Sequence, residues 1–282
     1  MLKIFVLALA IIAFMVIWLV SCGPSRQQQD TQQPTGKKPE RFYDFANPAQ
    51  KMKLPKSLKE ISGLSYYRGN QLVCVNDEEG EIFFYDTLKE DITDKKDFGK
   101  AGDYEGIEVV GNEIFVLKSN GKIKVINIAT DAERTIDCSN NEVIEYEGLA
   151  YVPQTNSLLL ATKEHIKAKD TEKIIYAYDL TQAQFKARYV ITRAMITGKN
   201  GNTDFRPSGI AVHPASGDIY VLASQGKKLL ILTSEGLKKE LIELNEKLFR
   251  QPEGICFTPS GDLFVSSEGG DKKAYILRFI YN

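Results

Sequence analysis

Residues 251–270, QPEGICFTPSGDLFVSSEGG, place a Glu-Gly pair before a short apolar run, a polar turn, and a second apolar run ending in Ser-Ser-Glu. The pattern recurs upstream as ISGLSYYRGNQLVCVNDEEGEIFFYD from Ile61, YEGIEVVGNEIFVLKSNGKIKVIN from Tyr104, YEGLAYVPQTNSLLLATKE from Tyr146 and PSGIAVHPASGDIYVLASQGKKLLIL from Pro207. The five copies align on Gly63, Gly106, Gly148, Gly209 and Gly254. Apart from the longer step between Gly148 and Gly209, the spacing is about 42 to 45 residues, the length of a four-stranded propeller blade.

Each unit alternates β-rich runs with Gly, Asn or Asp turns, as in Ile107–Val110, Ile114–Leu117 and Ile123–Ile128, which is the signature of consecutive hairpins. Five such units predict an all-β protein, a five-bladed β-propeller whose innermost strands line a central channel. The last unit ends in KAYILRFIYN and supplies only three strands, while AQKMKLP, residues 49–55, has no partner of its own. An N-terminal strand around Met52 is therefore expected to complete the last blade and remove two open edges. LKKELIELNEKL, from Leu237, reads equally as a helix or as an outer strand followed by a loop. The extra length after Gly148 reads as an insertion over residues 165–205.

The start of the chain differs from the rest. Met1-Leu2-Lys3 precedes an unbroken apolar run, Ile4 to Val20, that ends in Leu19-Val20-Ser21-Cys22-Gly23. This is a signal-peptide pattern over residues 1–21, and its ending resembles the lipobox of bacterial lipoproteins, in which the cysteine is lipidated. An uncleaved membrane anchor is the other reading of the same run. Residues 22–42 are rich in Gln, Pro, Lys and Ser and cannot bury enough apolar surface to fold, so they read as a tether from Cys22 to a body spanning 43–282. Both readings put the body in the bacterial cell envelope, attached to a membrane. A net charge of −1 with no basic excess argues against a nucleic-acid partner. The remaining cysteines, Cys74, Cys138 and Cys256, are odd in number and widely spaced, which argues against a disulfide framework or a cysteine zinc site.

In a propeller, residues just before the innermost strands gather at one mouth of the channel. Here they are Ser62, Glu105, Glu147, Ser208 and Glu253. Converging carboxylates raise one another's pKa and need a counter-charge. A hard cation, calcium in an extracytoplasmic setting, is one answer, with Glu105, Glu147 and Glu253 as ligands. The protein's own Lys118, Lys163 and Arg206 are a second, and an ordered-water mouth is a third. Strand ends such as Asp77 and Glu268, together with Glu60, extend the set of candidate ligand-binding residues around this mouth.

EISGLSYYRGNQLVCVNDEEGEIFFYD, DYEGIEVV, EYEGLAYVPQTNSLLLATKE, PSGIAVHPASGDIYVLAS and QPEGICFTPSGDLFVSSEG together resemble the SdiA-regulated family of bacterial envelope propellers, distant relatives of NHL-repeat proteins. The resemblance spans residues from about 50 to the C-terminus and implies the propeller fold and a calcium site. The Glu-Gly pairs are also similar to the metal-ligand motif of calcium-dependent lactonase and phosphotriesterase propellers, a likeness that maps onto Glu105, Glu147 and Glu253. Those enzymes surround the ion with asparagines, whereas this chain has Lys118 and Lys163 at nearby strand ends. The chain has no Gly-x-Ser-x-Gly elbow, and its two histidines are His165, at the start of the long segment, and His213, in a turn read as lying on the surface. Three functions follow: a calcium-binding scaffold for a small ligand or partner protein, a metal-dependent ester or phosphoester hydrolase, and a purely structural envelope protein.

Overall fold

Glycines at the head of each inner strand set the diameter of the molecule. A methyl added at Gly63 would lie 3.0 Å from the Gly106 Cα, one at Gly106 would lie 3.0 Å from the Leu149 amide nitrogen, and one at Gly148 would lie 2.9 Å from the Gly209 Cα. At Gly209 it would lie 2.4 Å from the Glu253 carbonyl oxygen, and at Gly254 2.9 Å from the Leu64 nitrogen. The five inner strands therefore touch, backbone to backbone, in a closed ring that only residues without a side chain permit.

Around this ring stand five antiparallel four-stranded sheets. The structure, a computed structural model, describes residues 43–165 and 172–282. The inner strands are Ile61–Arg68, Tyr104–Val110, Val143–Val152, Arg206–Val212 and Pro252–Phe257. The fifth sheet is closed by Gln50–Lys53, which pairs with the final strand Tyr275–Phe279 in the register Met52↔Ile276. Met52 is fully buried, so closure is held by apolar packing as well as by the ladder.

Burial follows blade position. Middle strands such as Glu113–Lys118 and Lys228–Leu232 are buried along nearly their whole length because a neighbouring blade covers each face. Outer strands such as Asp91–Asp97 and Gln184–Ile191 are mostly solvated. The buried apolar residues form five clusters, each joining two adjacent blades; Val73, Phe84, Ile107 and Val116, for example, join the first two. LKKELIELNEKL is an outer strand, Lys238–Glu243, followed by a loop.

Residues 165–205 are not one inserted loop. They include the third and fourth strands of the third blade, Lys173–Asp179 and Gln184–Ile191. Among the described residues, the added length forms the link after Ile191, which carries a short helix at Arg193–Ile196. The fully buried Lys228 fastens this link by donating to the carbonyl oxygens of Ile196 (3.0 Å) and Asn202 (2.8 Å). Lys228→Met keeps the side-chain volume but removes both donors. It is expected to cost about 2 kcal/mol in chemical denaturation and to speed hydrogen exchange around 196–202; unchanged exchange there would refute the fastening role.

Cys74, Cys138 and Cys256 are free and buried. The apolar run 4–20, Cys22 and the tether lie outside the described residues, among which no helix is long and apolar enough to cross a membrane.

Candidate metal and ligand site at the channel mouth

The same irregularity interrupts every inner strand. Pairing steps from Ile61↔Asn76 to Gly63↔Val75, from Tyr104↔Lys118 to Gly106↔Leu117, and from Pro207↔Ala223 to Gly209↔Leu222. Equivalent shifts span Tyr146 to Leu149 and Pro252 to Ile255. Ser62, Glu105 and Ser208 are thus bulged residues without a cross-strand partner, and Glu147 and Glu253 lie in the matching gaps. A bulge re-aims a side chain out of the pleat. This answers why a carboxylate stands before a buried strand: the bulge turns it toward the axis, and the following glycine lets the strands close beneath it.

The result is a cavity of about 580 Å³ over the glycine ring, lined by seven carboxylates and four cationic side chains. At its centre one oxygen each from Glu105, Glu145 and Glu147 lie within 4.8 Å of one another. Lys163 bonds Glu145 at 3.1 Å and also bonds Glu147. The other cations are engaged elsewhere: Arg206 with Glu164 at 2.7 Å, Lys227 with the Ser224 carbonyl at 2.6 Å, and Arg250 with the Lys273 carbonyl at 2.8 Å. One ammonium therefore serves the whole central group.

Protonation reflects that imbalance. Burial pushes Glu105 up to about 10, reinforced by Asp103 and Glu147 and only partly opposed by Lys163. Burial also raises Glu147, but Lys163 holds it to about 7. Glu253 is raised by burial, Glu147 and Glu268, against a 3.0 Å hydrogen bond donated by the Ser224 hydroxyl. Glu268 rises to about 7 through burial, Glu60 and Asp77. Asp77 is raised by burial and by Glu78 and Glu60, and its Oδ1 is buried without a hydrogen-bond partner. For Lys163, burial acts to lower the pKa but is outweighed by Glu147 and Glu145, so the ammonium form is favoured.

These shifts have a definite sign. A buried glutamate whose folded pKa lies above its unfolded value keeps its proton where the unfolded chain releases it, so stability is greatest at low pH and is lost as pH rises toward the folded pKa. Glu147 alone, at about 7 against a reference of 4.5, is expected to cost the metal-free protein roughly 3 kcal/mol between pH 5 and pH 8, and the other raised carboxyls act in the same direction. That corresponds to a fall in Tm on the order of 6–12 °C. Calorimetric melting in a chelator tests this, and a Tm that rises over the interval would contradict the acid-excess account.

The residues singled out from the sequence divide clearly. Glu105, Glu147, Glu253, Ser62, Asp77, Lys163, Arg206 and Glu268 all line the cavity. Ser208 lies lower on the axis and donates its hydroxyl to the Pro252 carbonyl at 2.7 Å. Ser62 likewise donates to the Tyr104 carbonyl at 2.6 Å, so both serines tie one blade to the next. Lys118 sits over the Tyr104 ring, 5.1 Å from its centroid, and Glu60 pairs with Lys59 at 3.1 Å, both outside the cavity lining.

Glu145 and Asp103 were not among those residues. Their signal is the spacing in D-Y-E-G and E-Y-E-G, where an acid two residues before the glutamate shares its face of an extended strand. His213 is not a surface residue: it is 2 % exposed, its Nδ1 accepts from the Ser216 amide at 3.2 Å, and aromatic rings surround it. His165 is packed against Tyr176, with Nε2 3.1 Å from the phenol oxygen.

The donor set suits a hard cation. It consists of carboxylate oxygens, one of them the orphaned Asp77 oxygen, and calcium tolerates irregular shells of this kind. Five blades, a glycine-pinched axis and one acid-lined mouth define the class as a five-bladed β-propeller scaffold. The chain belongs to the SdiA-regulated family, whose model matches residues 41–270. Among solved structures it is similar to glutaminyl cyclase from Myxococcus xanthus (14% identity, TM-score 0.60, covering 84% of this chain and 97% of the other). A luciferin-regenerating enzyme is similar at 13% identity and TM-score 0.51, covering 83% of this chain and 95% of the other. A nidogen/laminin complex is similar at 14% identity and TM-score 0.51, covering 74% and 72%. At such identities the likeness is one of fold. No curated protein matches the chain by sequence.

Proposed function

We propose that this protein is a calcium-binding propeller of the bacterial cell envelope, held to a membrane by a lipid on Cys22, that presents its acidic mouth to a small ligand or partner protein. The observation that carries the reading is the convergence of Glu105, Glu145 and Glu147 oxygens within 4.8 Å of one another with Lys163 as the one cation spent on them. These three residues would hold the ion, with Glu253 and Asp77 lining the same cavity. Bound calcium would supply the missing positive charge and fix the bulges of the second and third blades relative to one another.

The test is calorimetry of the full-length protein in detergent, titrated with calcium chloride. The parent is expected to bind one ion, and Glu147→Gln to bind at least about tenfold more weakly. Absence of both heat and a calcium-induced Tm shift in the parent would leave Lys163 as the sole counter-ion and retire the metal reading.

A calcium-dependent hydrolase is the second reading, favoured by the room above the acids, about 580 Å³. A bound ion there would polarise an ester or phosphoester oxygen. Asp77, which lines the cavity and whose pKa is raised by burial, Glu78 and Glu60, is a candidate to take a proton from water. Turnover of lactone, ester or phosphoester panels that calcium supports and Asp77→Asn abolishes would promote this reading over the scaffold.

A further inference from the structure

The glycine ring divides the axis. Between the two mouths remains a space of about 10 Å³, lined by Gly63, Gly106, Gly148, Gly209 and Gly254, roughly the volume one water needs. Beyond it, where the inner strands end, lies a second cavity of about 280 Å³. No Lys or Arg lines this cavity, and its single carboxylate is Glu108.

Glu108 stands two residues after Gly106, the register position held by Ser65, Ala150, Ala211 and Cys256 in the other blades. Four small residues thus leave space at this level of the axis, and the fifth puts a carboxylate into it. Ser65 Oγ donates to Glu108 Oε1 at 3.1 Å, and the Val109 amide approaches the same oxygen at 3.3 Å. These donors orient the carboxylate without neutralising it. The remaining walls are largely apolar and aromatic, built from Tyr66, Tyr151, Phe257 and three prolines, with Gln154 and Thr258 as uncharged polar side chains among them.

We propose that this second cavity binds a small organic ammonium ion, with the Glu108 carboxylate as counter-charge and the rings of Tyr66, Tyr151 and Phe257 around the alkyl body. An anion is disfavoured because the cavity offers it no cation. A divalent metal is disfavoured because one carboxylate cannot replace its oxygen shell. An ammonium carrying apolar substituents fits both features, since aromatic rings attract such cations and the carboxylate fixes the charge. His213, which also lines the cavity, is kept neutral by burial, which lowers its pKa, so it does not repel a cation. The burial that pushes Glu108 up to about 7 is the unbalanced charge that a bound ammonium would offset.

The probe is tetramethylammonium chloride, observed by saturation-transfer NMR on the full-length protein in detergent, with tert-butanol as the uncharged control and ionic strength held constant with sodium chloride. Tetramethylammonium is expected to bind saturably and tert-butanol not at all. Glu108→Gln, which keeps shape and removes charge, should weaken binding at least about tenfold, and Phe257→Leu should weaken it several-fold. Glu147→Gln should leave it unchanged, because the site lies across the glycine ring from the acidic mouth. Equal binding of alcohol and ammonium, or unaltered binding in Glu108→Gln, would overturn the proposal.

Discussion

Lys163→Met is expected to do two opposite things: destabilise the calcium-free protein by about 3 kcal/mol at pH 7.5 and tighten calcium binding at least about tenfold. Lys163 sits on Glu145 and Glu147 and is a tethered cation in the place a free one would take. Removing it strands two carboxylates, one of them 5 % exposed, which is costly where the pair is buried. The same removal spares calcium the work of displacing an ammonium. Thermal melts in chelator and calorimetric titration measure the two halves separately. A variant that loses stability and also binds calcium more weakly would mean that Lys163 organises the acids without competing for their ion.

Gly209→Ala is expected to abolish folding, with a cost above about 4 kcal/mol. The new methyl would lie 2.4 Å from the Glu253 carbonyl oxygen, a backbone atom that cannot step aside without opening the ring. Gly148→Ala should behave similarly, because the methyl would meet the Gly209 Cα at 2.9 Å and the backbone there has φ +97°. Gly111→Ala is the control: φ is +59°, but nothing lies within 4 Å of the added carbon. It should cost about 1 kcal/mol from left-handed backbone strain alone. Urea unfolding of the three variants reads the contrast, and a Gly209→Ala protein as stable as the Gly111→Ala one would remove the backbone ring as the determinant of closure.

The repeat was legible because the buried strands announce themselves. Runs such as IFVL and LLLAT have a neighbouring blade on both faces and so stay apolar throughout, and their recurrence counted the blades. The outer strands were not legible one by one. Asp91–Asp97 and Glu133–Asp137 face water and carry no strand-like apolar pattern; Gln184–Ile191 is solvated in the same way and was absorbed into a single insertion together with Lys173–Asp179, although that strand is largely buried. Solvent imposes no pattern on a strand whose only obligation is its ladder.

The sequence by itself determined the number of blades, the closing strand at Met52 and the gathering of Glu105, Glu147 and Glu253 at one mouth, because all three follow from a repeat and a two-residue strand period. Tertiary structure alone decided which charges meet there. Lys163 reaches Glu145 and Glu147, while Lys118 folds over Tyr104; Lys118 stands opposite Tyr104, but the residue opposite Tyr146 is Thr162, so Lys163 lies one position further along its strand and on the other face. It likewise decided that Ser62 and Ser208 fasten blades together. Long flexible side chains choose their partners by distances between blades, and those distances are set by five glycines acting together, which no local stretch of sequence records.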